Sequence, residues 1–136
     1  MPRSAPYGYY RGQFNLYIPI PAGTGAVSVV TALPLGFAFQ IEKVNAVIQV
    51  AATGVGASRV FRVLKNAVVA ATATLVLADG ATVGDLKPFT VSAAPASVFA
   101  DGDTLTVDFP TAGAVAFTAG AVILCIQYRA LNQRAA

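Results

Sequence analysis

An active site in this chain would rest mainly on six carboxylates and one thiol, because the sequence contains no histidine. Histidine is the commonest general base near neutral pH and the commonest metal ligand. The carboxylates are Glu42, Asp79, Asp85, Asp101, Asp103 and Asp108. Asp79 and Asp101 each precede a glycine, the placement of an aspartate that bonds the backbone of a turn. Glu42 beside Lys43 reads as a solvated pair near the start of a strand. Asp103 and Asp108 are the remaining acid–base candidates, but in an unbroken strand that spacing puts them on opposite faces. Asp101-Gly102-Asp103 opens like a calcium loop, yet an EF-hand needs a glutamate at its twelfth position, which here is Ala112. Gly54-Val55-Gly56 is not a dinucleotide fingerprint, since the third glycine would fall at Arg59 and no helix follows. The single thiol, Cys125, excludes an internal disulfide and a multi-cysteine zinc site. It lies in an apolar run, where a free cysteine usually behaves as a small hydrophobe. The sequence therefore predicts no catalytic residue, no metal site and no cofactor, and points away from an enzyme.

What remains is a surface with few charges. Charged residues make up 11% of the 136, against roughly 25% in an ordinary soluble domain. A monomer with so few hydrated groups has difficulty covering its surface, so partner subunits are expected to bury part of it. The net charge of +3 is uneven. Arg3 and Arg11 near the start and Arg129 and Arg134 near the end flank a near-neutral body. Arg3, Tyr7, Tyr9, Tyr10 and Arg11 interleave basic and aromatic side chains within residues 1–13, which read as an extended arm. Such an arm could stack on single-stranded nucleic acid. Tyrosine and arginine are, however, preferred anchors in protein interfaces, so these five residues are assigned to protein contact and no nucleic-acid partner is expected.

The elements that must carry this surface read as strands. Alternation of period two is clear in three runs. Val44, Ala46, Ile48 and Val50 share one face; Leu105, Val107 and Phe109 face inward while Thr104, Thr106 and Asp108 face out; Arg59, Phe61, Val63 and Lys65 alternate with Val60, Arg62 and Leu64. Turn signals at Asn66-Ala67, Asp79-Gly80, Asp101-Gly102 and residues 111–113 separate apolar runs. The alanine-rich stretch 67–78 could be called a helix, but Val68, Val69, Thr72, Thr74 and Val76 are β-branched, so it reads as a strand. The expected strands lie near 14–20, 26–31, 37–51, 58–65, 68–77, 88–92, 97–109 (broken or not) and 114–129. The chain is thus all-β, an antiparallel sandwich or barrel of about eight strands, with residues 14–129 as its body and 130–136 as a tail.

The last strand is apolar on both faces until Gln127, as expected of a central or interface strand. Val122, Leu124, Ile126 and Tyr128 are assigned to an oligomer interface. The apolar stretch from Ala112 to Ile126 is shorter than the roughly 20 residues of a spanning helix, so no membrane partner is expected. The opening residues lack the apolar stretch of a signal peptide, and the chain is expected to be soluble and made in the cytoplasm.

Three segments resemble a known family: the run from Leu33 to Val50, the hairpin-like stretch from Val60 to Val69, and the segment from Ala100 to Phe109. Together with length and strand order, they are similar to the capsid cement, or decoration, proteins of tailed bacteriophages, nearest the jelly-roll cement proteins of the Bordetella phage type. The likeness covers most of the chain and lies in texture rather than in a signature motif. It implies a jelly-roll sandwich on the capsid exterior that bridges subunits of a major capsid protein. It also implies dimers or trimers at symmetry axes, with a homodimer the expectation. Two rivals are a carbohydrate- or receptor-binding sandwich, disfavoured because tryptophan is absent and the tyrosines sit mostly in the arm, and a small coat protein that assembles alone.

Overall fold

A computed structural model describes residues 11–20, 26–32, 36–53, 58–76, 82–110 and 119–131. Its described elements are strands: β1 (Arg11–Pro19), β2 (Val27–Ala32), β3 (Phe39–Thr53), β4 (Ser58–Lys65), β5 (Val68–Val76), β6 (Leu86–Pro88), β7 (Thr90–Val91), β8 (Val98–Phe99), β9 (Leu105–Phe109) and β10 (Ala119–Ala130). They form two antiparallel sheets. Sheet A runs β1-β10-β3-β6, with β8 also paired to β3; sheet B runs β2-β9-β4-β5-β7. The first four strands alternate between the sheets, so the chain crosses the sandwich at each of the first three connections, and β5 then returns beside β4 in sheet B. The chain is all-β, as expected.

Alternation in sequence sets which side chains fill the space between the sheets. On β1, Gly12, Phe14, Leu16 and Ile18 point inward and Arg11, Gln13, Asn15, Tyr17 and Pro19 point out. On β10, Val122, Leu124 and Ile126 point inward. Facing them from sheet B are Phe61, Val63, Val107 and Phe109, all fully buried. Rings fill both ends of the core. Phe61 packs on Phe89 and Phe109 with centroids at 5.0 and 4.5 Å, while Phe39 stacks on Phe99 at 4.8 Å and meets Tyr128 edge-on at 5.6 Å.

β3 departs from simple alternation because bulges reset its phase. Its inward residues are Phe39 and Ile41, then Val44, Ala46 and Ile48, then Ala52. The pairing with β10 steps at Gln127/Tyr128 and again near Ala121, leaving extra residues on β3. Each extra residue turns the following side chains over. Val50, expected on the buried face with Ile48, is therefore 47% exposed.

Two expected strands are each divided. The expected 88–92 strand switches sheets: Pro88 pairs with Asn45 in sheet A and Thr90 with Thr72 in sheet B. Phe89 between them is buried against Phe61. This crossing closes one flank of the sandwich. The expected 97–109 strand breaks into β8 and β9 at Asp101-Gly102, where Gly102 takes φ +96°. Asp103 in that turn accepts hydrogen bonds from the Ala100 amide and Asn66 Nδ2, which lower its pKa. Its role there is to tie the 100–104 turn to the β4–β5 hairpin, where Asn66 Oδ1 also accepts from the Thr104 amide.

Candidate functional site

Charged side chains not absorbed by the core fall into different settings on the two sheets. On sheet B, Arg62 of β4 and Asp108 of β9 are cross-strand partners. Arg62 donates to both carboxylate oxygens, at 2.9 and 2.7 Å. The hydrogen bond and charge of Asp108 raise the Arg62 pKa against the opposing effect of burial. Asp108 lies in the outward phase, as expected, but is largely covered and paired there. Arg59, expected on a face with Lys65, lies in the core phase of β4, 1% exposed, with its guanidinium carbon 5.7 Å from the Phe109 ring centroid. Desolvation lowers its pKa.

The outer face of sheet A is built differently. Directly opposed residues of an antiparallel pair point to the same side, so the register lays side chains out in rows across the strands. Arg11, Arg129 and Gln40 form one row, and Gln13, Gln127 and Lys43 the next. Then come Asn15, Cys125, Asn45 and Pro88, followed by Tyr17, Ile123, Val47 and Leu86. Pro19, Ala121 and Val50 form the last row. Polarity changes along the strands. One end carries Arg11, Lys43 and Arg129 against a single carboxylate, Glu42, which is bonded to Arg11 at 2.9 Å. The other end carries an apolar band in which Tyr17 and Leu86 are 56% and 57% exposed.

At the polar end lies a shallow cleft of about 320 Å³, lined by Arg11, Gly12, Gln13, Glu42, Gln127 and Tyr128. Gly12 leaves room there for the Tyr128 ring: a Cβ would stand 2.5 Å from the Tyr128 hydroxyl, so a larger residue would have to displace that ring. In the middle row, Asn45 is 7% exposed and its Oδ1 is buried without a hydrogen-bond partner. Cys125 beside it is partly exposed on this outer face rather than packed in the core.

The sequence-derived assignments fare unevenly against this geometry. Arg3, Tyr7, Tyr9 and Tyr10 lie outside the described residues. Arg11 begins β1 instead of belonging to a free arm, because its backbone pairs with Arg129 and its side chain with Glu42. The body thus starts at Arg11 rather than Phe14, and Ala130 belongs to β10 rather than to a tail. Val122, Leu124 and Ile126 are each 0% exposed, because they fill this chain's own interior; they are not available to a partner. Tyr128, half-buried, joins the aromatic cluster of Phe14, Phe37 and Phe39. The surface of β10 that could meet a partner is the opposite phase, Ile123 and Cys125. Sequence reasoning missed Tyr17, Val47, Ile123 and Leu86 as a set. The available signal was that Val47 and Ile123 are apolar at positions alternating with core residues.

Among the described residues, no three acidic or cysteine side chains converge as a metal site would require. No protein-family model, curated protein or solved structure matches the chain.

Proposed function

We propose that this chain is a non-enzymatic structural protein of a virion, a cement protein that binds the outside of a capsid shell and ties neighbouring major capsid protein subunits together. The observation that carries this reading is the outer face of sheet A, where an apolar band spans four strands, exposed at Tyr17 and Leu86 and half-buried at Ile123 and Val47 between them. Apolar surface bordered by polar and charged groups is a mark of protein interaction sites. The low charge of the whole chain points the same way.

The strand order adds support. Sheets ordered β1-β10-β3-β6 and β2-β9-β4-β5 interleave early and late strands as two Greek keys of a jelly roll do, and we read the sandwich as one. The segments that resemble the cement family, 33–50, 60–69 and 100–109, supply β3, the β4–β5 hairpin and β9 with its preceding turn. A contact repeated over many equivalent shell positions stabilises collectively, so no single deep site is needed.

Quantitative mass spectrometry of purified particles from the source tests this. We expect about one copy of this chain per copy of a different, most abundant shell protein. A few copies per particle would favour a fibre or receptor-binding role. Absence from particles would overturn the proposal.

A further inference from the structure

The outer face of sheet A has a direction, and that direction specifies what can cover it. The rows holding Arg11, Arg129 and Lys43 are cationic, with Glu42 the only carboxylate among them and already engaged by Arg11. Two rows further along, Tyr17, Ile123, Val47 and Leu86 make the apolar band, continued by Pro19 and Val50. Between the two stands the Asn15–Cys125–Asn45 row.

We propose that this face is the docking surface, and that its occupant is a different protein surface: an apolar strip bordered at one side by carboxylates. This rests on the reading of the chain as a cement protein, which makes that occupant the outer surface of the shell.

Charge argues against a second copy of this chain. If two copies packed face to face with their cationic ends together, Arg11, Lys43 and Arg129 would oppose the same three residues. If they packed in the reverse sense, the surplus cations Lys43 and Arg129 would lie on the apolar band, where Asp85, exposed beside Leu86, offers one carboxylate against two cations. Covering an unpaired cation with apolar groups is strongly unfavourable. A carboxylate border on the partner removes the conflict and speeds encounter by electrostatic attraction.

Size adds a second constraint. At roughly 4.8 Å between strands and 3.3 Å per residue, the face spans about 14 Å across four strands and about 26 Å from Arg11 to Pro19. That footprint is about half of the roughly 800 Å² per partner in a standard interface. The face therefore acts with further contacts, as expected where one chain bridges two subunits.

The test uses the full chain and heads purified from the source and stripped of it. Tyr17→Glu/Leu86→Glu places carboxylates in the apolar band; Ser28→Glu/Thr74→Glu is the matching change on sheet B. We expect the sheet A pair to weaken binding to stripped heads by roughly tenfold or more and the sheet B pair to leave it unchanged. Lys43→Glu is expected to weaken binding and to reduce its dependence on salt. Wild-type protein alkylated at Cys125 with N-ethylmaleimide provides a variant that needs no refolding, and it too should bind less well. Cys125 in head-bound protein should react more slowly than in free protein.

If wild type binds while the sheet A variants and the alkylated chain bind equally well, this face is not the docking surface, and the cement reading stands. Failure of wild type to bind stripped heads overturns the cement reading, and the proposal with it. A free protein that is dimeric by light scattering, and that a short bis-maleimide joins through Cys125, makes the occupant a second copy and overturns the proposal.

Discussion

Sheets A and B of this sandwich share one core but present unlike outer faces. On sheet B, the charged side chains in the outward phase of β4 and β9 neutralise one another: Arg62 and Asp108 meet in a two-bond ion pair, with Thr72 opposite Arg62 on the next strand. On sheet A, the ion pair sits at one end and leaves Lys43 and Arg129 as surplus cations, while the other end is apolar. The same strand periodicity produced both faces. They differ in what occupies the outward phase: threonines, a matched pair and the valines Val60 and Val76 on one, and Tyr17, Val47, Ile123 and Leu86 beside unmatched cations on the other. A face whose charges satisfy each other makes no electrostatic demand on a partner. A face that exposes apolar surface beside unmatched charge remains incomplete.

The comparison can be sharpened first on β10, whose two sides border the core and the outer face. Leu124→Ala should lower unfolding free energy by about 2–5 kcal/mol in urea titrations, the usual cost of deleting a fully buried leucine. Ile123→Ala, one residue away on the outer face, should cost clearly less. Equal losses would mean that the two phases of this strand do not divide as described.

Next in size is the ion pair of sheet B. Asp108→Ala leaves a partly buried guanidinium without its carboxylate and should cost about 1–3 kcal/mol by thermal or denaturant unfolding. The double change Arg62→Met/Asp108→Leu should cost less than the single one, because neither group is then left unpaired.

Asn45→Leu is a smaller perturbation of opposite sense. Its Oδ1 has no hydrogen-bond partner, so an apolar side chain of similar size should leave stability unchanged or raise it by about 1 kcal/mol. A loss exceeding that would show that the amide is satisfied in solution.

The smallest effect is expected at the ion pair of sheet A. Arg11 and Glu42 side chains are 56% and 32% exposed, and solvent-exposed pairs typically contribute about 0.2–1 kcal/mol. Glu42→Gln should therefore shift the urea midpoint much less than Asp108→Ala does. If the two shifts were equal, the contrast between the faces would fail.

Much of the fold was legible in local patterns. The β4–β5 hairpin follows from Asn66-Ala67 between apolar runs; both residues take positive φ, +46° and +71°, as a two-residue turn of the I′ type demands. Leu105, Val107 and Phe109 face inward as their alternation dictates. Where sequence reasoning went astray, pairing intervened. Val50 turned outward because bulges shifted β3 against β10, and Asp108 became covered because Arg62 arrived opposite it from a distant strand. Arg11 joined the body because β10 offered its backbone a partner.

The sequence by itself determined the strand class, most strand positions and the scarcity of charge, because each depends on residue type and on a period of two along the chain. Which of the two apolar phases of β10 faces the core could not be read locally, since Val122, Leu124 and Ile126 look no different from Ile123 and Cys125. Tertiary structure decided that: sheet B covers one phase only. It also gathered Tyr17, Val47, Leu86 and Ile123 from four strands into one band. Cross-strand register, a property of pairs of segments far apart in the chain, is the physical reason they meet.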